Sequence, residues 1–214
     1  MAETMTMNRV IHAAVRRDLD RIATALESAR DGDTTRATSL QRAYAHLHGQ
    51  LKHHHEQEDQ HVFPALSRLG VDAGLIEDMD GEHQAMSDAL ESTGTLMQRY
   101  AGTGRAVDAA AARASVAETR AVVERHLAHE EHELEPLMQP HLESAEWKQA
   151  EKALRKVPPS TAGQFFAWLT DGMDSESQDY LRSTVPRPVI AVFSKVLGRR
   201  YHREIAPVWR STHQ

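Results

Sequence analysis

Leu51-Lys-His-His-His-Glu-Gln-Glu-Asp-Gln-His-Val-Phe-Pro-Ala-Leu66 places His54 and Glu58 four residues apart inside an apolar pattern of helical period. Residues at i and i+4 share one face of a helix. Leu40, Tyr44, Leu47, Leu51, His54, Glu58, His61 and Ala65 fall on one stripe, so two metal-binding side chain types stand where a core would place leucine. Seventy-two positions later, Glu124-Arg-His-Leu-Ala-His-Glu-Glu-His-Glu-Leu-Glu-Pro-Leu137 repeats the arrangement, with His126 on His54, Glu130 on Glu58 and Pro136 on Pro64. Each proline lacks the amide hydrogen that the helix would use, which predicts a bend or an end about one turn beyond each pair.

The surrounding chain reads as helices of similar length. The first is expected over about Met5 to Arg30, with Val15, Leu19, Ile22 and Leu26 in phase and His12 on the same face. The turn chemistry of Arg30-Asp-Gly-Asp-Thr34 separates it from a second helix over about Arg36 to Arg68. After the turn Leu69–Gly74, with Asp72 as N-cap, a third helix reaches about Tyr100 and brings Met79, His83, Met86, Leu90 and Met97 into phase. The methionines read as core packing. Ala101-Gly-Thr-Gly104 forms the next loop, and a fourth helix capped by Asp108 runs to about Gln139 with Val116, Val123, His126, Glu130, Leu134 and Leu137 on its buried stripe. His12 precedes His54 by 42 residues and His83 precedes His126 by 43, so the chain consists of two αα-hairpins, each supplying one histidine and then a His-Glu pair. Short loops make neighbouring helices antiparallel, and the expected fold is all-α, an up-down-up-down four-helix bundle over residues 1–142.

From residue 143 the composition changes, and most of the aromatics follow: Trp147, Phe165, Phe166, Trp168, Tyr180, Phe193, Tyr201 and Trp209. Residues 143–214 are expected to form a helical extension, with helices opened by Pro158-Pro159-Ser160, by Asp174 and by Pro186-Arg-Pro188. The net charge of −6 is unevenly spread, since residues 186–214 hold six Lys or Arg against Glu204 alone. A basic, aromatic-rich helix beside an acidic bundle is expected to dock within the chain or across a homodimer. Lys195, Arg199, Arg200, Arg203 and Arg210 also invite a membrane or nucleic-acid reading; the docking reading is preferred, and no helix-turn-helix or base-stacking pattern supports nucleic acid. With no cysteine, disulfides and thiolate metal sites are excluded; with no signal peptide and no long apolar span, the expected location is the cytoplasm.

Six side chains from four helices can therefore converge at one level: His12, His54, Glu58, His83, His126 and Glu130. Two carboxylates in an apolar interior beside four imidazoles call for compensating cations. A pair of metal ions resolves the conflict, with carboxylates able to bridge and imidazoles ligating from the sides; iron suits this nitrogen and oxygen set, and manganese or zinc also fits. Positions left free on the metals would take dioxygen, peroxide, nitric oxide or water.

In these residues the sequence resembles the hemerythrin-like (HHE cation-binding) domains, whose His, His-xxx-Glu, His, His-xxx-Glu pattern is matched by His12, His54-His-Glu-Gln-Glu58, His83 and His126-Leu-Ala-His-Glu130. The resemblance covers about residues 6–140 and includes Pro64 and Pro136. It implies a non-haem centre of two iron ions, joined by an oxo or hydroxo bridge, with those six residues as ligands. Oxygen-carrying members have a second histidine four residues after the first on the third helix, where this chain has Ser87. Their last motif ends in an aspartate five residues after its histidine, where this chain has Glu130 at four and Glu131 at five. The pattern is closer to members associated with iron sensing, repair of iron centres, or peroxide and nitric oxide handling. The expected function is reaction of a di-iron centre with peroxide or dioxygen, catalase-like or oxidase-like, in redox or iron homeostasis. The alternative is non-enzymatic sensing or binding of oxygen, nitric oxide or iron.

The remaining histidines carry their own expectations. His53 and His55 are rotated about 100° to either side of His54 and should face solvent or support the ligands. His61 and Glu133, in phase with the ligands, should line the access route or hydrogen-bond to them. His46, His48, His129 and His132 are expected at the surface.

Overall fold

The structure, a computed structural model, describes residues 5–210; the outermost four residues at each end of the expected bundle and extension lie outside the described residues. Four long helices build the bundle: α1 (Met7–Glu27), α2 (Thr34–Gln57), α4 (Ala73–Thr103) and α5 (Ala106–His129). Helix α2 continues through a π turn (Glu58–Val62) into α3 (Phe63–Arg68), and α5 continues through a second π turn (Glu130–Leu134) into α6 (Glu135–Met138). Among the described residues there is no strand, and no helix is long and apolar enough to cross a membrane.

Side-chain caps set the starts of three of the four bundle helices. Thr6 accepts from the Arg9 amide, Asp33 from Arg36 and Asp72 from Leu75, each satisfying an amide that the first turn leaves free. Asp108 does not cap the fourth helix as expected. The helix begins earlier, at Ala106, and Asp108 is buried in its first turn, where it accepts from the Thr103 hydroxyl and pairs with Arg99. The two interhelical loops meet: the Gly32 amide donates to the Gly104 carbonyl at 2.8 Å, and Asp31 accepts from the Ala106 amide. Gly104 ends α4 at φ 65°, and a Cβ there would lie 2.8 Å from Thr34 Cγ2, so this contact needs glycine twice over.

Both predicted proline bends are π turns. Pro64 and Pro136 cannot donate to the carbonyls of Gln60 and His132, and the Phe63 and Glu135 amides instead reach the carbonyls of Glu58 and Glu130. The wider turn moves every later residue out of the straight-helix phase. Val62 and, as expected, Leu134 face inward, but Leu137 is exposed rather than buried, and the Glu133 side chain is 64% exposed and pairs with His129.

The apolar interior has two parts. The main core joins α1, α2, α4 and α5, including Met86 and Met97, and buries Trp168 and Tyr201 from the extension. A smaller cluster lies past the π turns, where Val62, Phe63, Leu66, Met79 and Leu134 meet Trp147 and Leu154 of α7 (Ala145–Leu154). Trp147 and Leu154 bring α7 against this end of the bundle.

Helices α8 (Pro159–Thr170), α9 (Ser175–Thr184), α10 (Arg187–Ala191), α11 (Arg199–Glu204) and α12 (Ala206–Arg210) follow, with a π turn over Val192–Leu197. Their attachment reverses the expected polarity. Arginines of the bundle donate to the extension: Arg17 to the Trp168 and Leu169 carbonyls, and Arg36 to that of Val208. The Trp168 indole donates to buried Asp18 at 2.8 Å, Arg17 and Arg21 balance that carboxylate, and Arg21 lies over the Trp209 ring. The extension's Arg200 and Arg203 pair instead with Glu204.

His46, expected at the surface, lies beneath this attachment, 5.1 Å from the Tyr201 ring and 6.4 Å from that of Trp168. Burial lowers its pKa from 6.5 to about 4, against the attraction of Asp18 and with help from Arg200 and Arg17. The unfolded chain takes up this proton near pH 6.5 and the folded chain only near 4, so the stability tied to neutral His46 is intact above 6.5 and is lost as pH falls to 4. In chelator-treated protein, His46→Gln should flatten the acid side of the stability curve in this window by up to about one proton, roughly 1.4 kcal/mol per pH unit. Urea unfolding at intervals between pH 4 and 7 measures it; parallel curves for the two proteins would refute the assignment.

Candidate metal centre

The six side chains expected to converge do so between the two apolar clusters. His12, Glu58, His83, His126 and Glu130 are buried and His54 nearly so. Helix α1 brings His12, α2 His54, α4 His83 and α5 His126, while Glu58 and Glu130 stand at the first residues of the π turns. His12 Nε2 is 3.4 Å from His54 Nε2 and 3.2 Å from Glu130 Oε2. Glu58 spans the site: Oε1 is 3.3 Å from His54 Nε2 and Oε2 is 3.6 Å from His83 Nε2. Glu130 does the same, since Oε2 also lies 3.8 Å from His126 Nε2.

His55 joins them. Expected to face solvent or to support the ligands, it is 7% exposed, its ring stacked on His83 at 4.1 Å and 16° and set edge-on to His126 at 5.4 Å. A single inward line through α2 misses it because a bundle helix faces two neighbours: His54 turns towards α1 and His55, one residue and about 100° on, towards α4. Two groups of donors result, His12 with His54 and Glu130, and His55 with His83 and His126; within each, the donor atoms lie within 4.8 Å of one another. His53 belongs to neither.

Outside this layer, carboxylates hold the rings. His12 Nδ1 meets Glu131 at 2.7 Å, His83 Nδ1 meets Asp59 at 2.8 Å, and His126 Nδ1 meets Glu82 at 2.9 Å. Glu82 turns its other oxygen to His129 Nδ1 at 3.0 Å, so His129 is a supporting residue rather than a free surface histidine. Glu131 is itself held by Arg16, which also binds Glu124. With each Nδ1 proton given to a carboxylate, Nε2 is left as the inward lone pair, the tautomer that a metal requires.

The electrostatics show the strain of this layer without a cation. Burial and the neighbouring Glu130 push the Glu58 carboxyl well above the ordinary range. Burial acts on Glu130 in the same direction, but hydrogen bonding to His12 and its charge outweigh burial and lower it. Burial would also neutralise His12, yet Glu130 and Glu131 raise it to about 9. Burial and the charge on His12 drive His54 down to about 3, and burial with His83 takes His55 well below its ordinary value. Nε2 of His55, His83 and His126 and Oε2 of Glu58 have no hydrogen-bond partner, and Oε2 of Glu130 has only the pairing with His12. Donors of these types, buried and unpaired, fit a cation, so the residues present suit the metals that the sequence pattern implies.

Among curated proteins and solved structures, no significant match to the chain is found. A family model, the hemerythrin HHE cation-binding domain, matches residues 8–138, which takes in all four bundle helices, both π turns and every residue of this layer. That span is more than half of the chain, and the protein belongs to the hemerythrin HHE cation-binding domain family.

Proposed function

We propose that this layer holds two iron ions and that the centre reacts with a small oxidant, hydrogen peroxide or dioxygen, in redox or iron homeostasis. The four unpartnered ligand atoms between the apolar clusters, on His55, Glu58, His83 and His126, support the reading most directly. Iron would supply Lewis acidity, a reversible electron and an open coordination position for the oxidant. His12, His54, Glu58, His83, His126 and Glu130 would hold the pair.

The protein's part is to fix the donors and keep the site dry. Asp59, Glu82 and Glu131 orient three imidazoles through Nδ1, and Arg16 steadies Glu131. Glu58 and Glu130, each between histidines of different helices, would help to hold the pair. Phe63, stacked on His83 at 5.3 Å, and the smaller apolar cluster behind it exclude water from one end. Disproportionation of hydrogen peroxide to water and dioxygen balances with no other reactant, and it is the simplest turnover to look for.

Iron-loaded protein should bind two irons per chain, show the near-ultraviolet absorption of a ferric pair and evolve dioxygen from hydrogen peroxide, with at least a tenfold loss in His54→Ala. Dioxygen evolution that survives this substitution would exclude the site. Stoichiometric binding of nitric oxide or dioxygen without turnover would favour a sensing or binding role over an enzyme. For the supporting carboxylates, Glu82→Ala should keep the helical content and lower metal affinity about ten- to a hundredfold in competition with a chelator. Unchanged affinity would show that Glu82 does not position His126.

A further inference from the structure

We infer that the outward side of residues 187–203 is a docking surface for an anionic phospholipid bilayer, on which the protein rests with the acidic side of the bundle turned away. The inference does not involve the metal layer. Residues 181–203 hold six Lys or Arg and no Asp or Glu. An extension of this charge was expected to direct it at the acidic bundle, but the attachment is made by arginines of the bundle, and the tail's own cations take no part in it. Arg200 and Arg203 share Glu204, while Arg187, Lys195 and Arg199 are exposed with no ion pair among the described residues.

Packing decides which side of this stretch is outward. Phe193 lies 5.7 Å from the Phe166 ring, Ser194 shares a hydrogen bond with Thr170, and a Cβ on Gly163 would meet Leu197, so α8 occupies the side that holds these three residues. The residues between them point away. Val189, Val192 and Val196 are 39%, 50% and 47% exposed, and they are three of the six large apolar side chains left exposed among the described residues. Lys195 stands among them, with Arg187 before and Arg199 after. An apolar line set among basic side chains with long stems matches the boundary between acyl chains and anionic headgroups, where valine leaves water and lysine or arginine meets phosphate.

The charge of the rest of the molecule favours this occupant over others. Over residues 73–98, α4 carries Glu77, Asp78, Asp80, Glu82, Asp88 and Glu91 and no Lys or Arg. It packs on α2 and α5, across the bundle from α1, and α8 and α9 sit on α1. Opposed faces of opposite sign orient the molecule on an anionic surface although its net charge is −6. A second copy fits less well. Like face against like face brings cations together, and this face against α4 runs head to tail, which on opposite sides of a molecule extends without closing. Nucleic acid would set the valines against phosphate and find no exposed aromatic side chain in this stretch to stack on.

Flotation of the full-length protein with vesicles of phosphatidylcholine, alone or mixed with phosphatidylglycerol, tests the surface. Binding is expected to the mixed vesicles only and should weaken severalfold at high salt. Val192→Asp and Lys195→Glu, at exposed positions where circular dichroism and thermal unfolding should not change, should together weaken it at least tenfold. Because the chain has no cysteine, a polarity-sensitive dye can be placed singly through Val192→Cys or, on the exposed side of α4, through Ala85→Cys. On mixed vesicles its emission should move to the blue at position 192 and stay unchanged at position 85. Equal binding to neutral vesicles, binding that survives both charge substitutions, or the same dye shift at both positions would overturn the inference. So would an absence of vesicle binding, whether the face proved inert, Val192→Asp dissolved a dimer, or the cations retained the protein on duplex DNA instead.

Discussion

The structure depends on two carboxylates, Glu58 and Glu130, enclosed between apolar clusters, where Glu58 Oε2 has no partner and Glu130 has only His12. Burying an ionised carboxylate costs several kcal/mol unless an opposite charge lies close by. The groups pull against one another: burial and Glu130 push the Glu58 carboxyl up, His12 holds that of Glu130 down, and burial lowers His54 and His55. These are the compromises of a site organised around positive charge that the protein's own side chains only partly provide. The apolar clusters make the conflict sharper, since their packing denies the carboxylates water.

The helices are arranged so that this layer can exist. A straight α-helix would turn both the third and the fourth residue after each glutamate towards its face; with the proline-enforced π turns, Val62 and Leu134 are buried and Glu133 is exposed. Apolar packing thus resumes immediately beyond each glutamate, and the polar layer stays one turn thick. The extension seals the outside in two ways: Trp147 and Leu154 pack beyond the π turns, while Trp168, Tyr201 and Val208 cover α1 and α2.

Much of this was legible in the sequence because the signal is periodic and duplicated. The stripe through Leu40, Leu47, Leu51, His54 and Glu58 and its echo through Val123, His126 and Glu130 announce both the bundle and the layer. What escaped was whatever depends on a second direction or on distance along the chain. His55 was hidden because phase was measured against one inward line, while α2 faces two neighbours. Glu133 and Leu137 were misplaced because proline was read as a bend and not as an inserted residue. The contacts that attach the extension could not be read, for Asp18 and Trp168 lie 150 residues apart and neither carries a local mark of the other. The charge imbalance of the tail suggested attraction to an acidic bundle; the contacts are made by arginines of the bundle reaching carbonyls and one buried aspartate.

The repeat also explains the symmetry of the layer and where it fails. Asp59 follows Glu58 and holds His83 of the other hairpin; Glu131 follows Glu130 and holds His12 of the other hairpin. Each hairpin therefore orients the first histidine of its partner, so neither half of the layer can be set in place without the other, and folding of the bundle is tied to assembly of the site. His55 and Glu82 are among the residues with no equivalent. Residue 127 is leucine where the first hairpin has His55, and the residue before His12 is Ile11 where Glu82 precedes His83. Both departures add polar groups on the same side, one as a donor directed inward and one as the carboxylate behind His126.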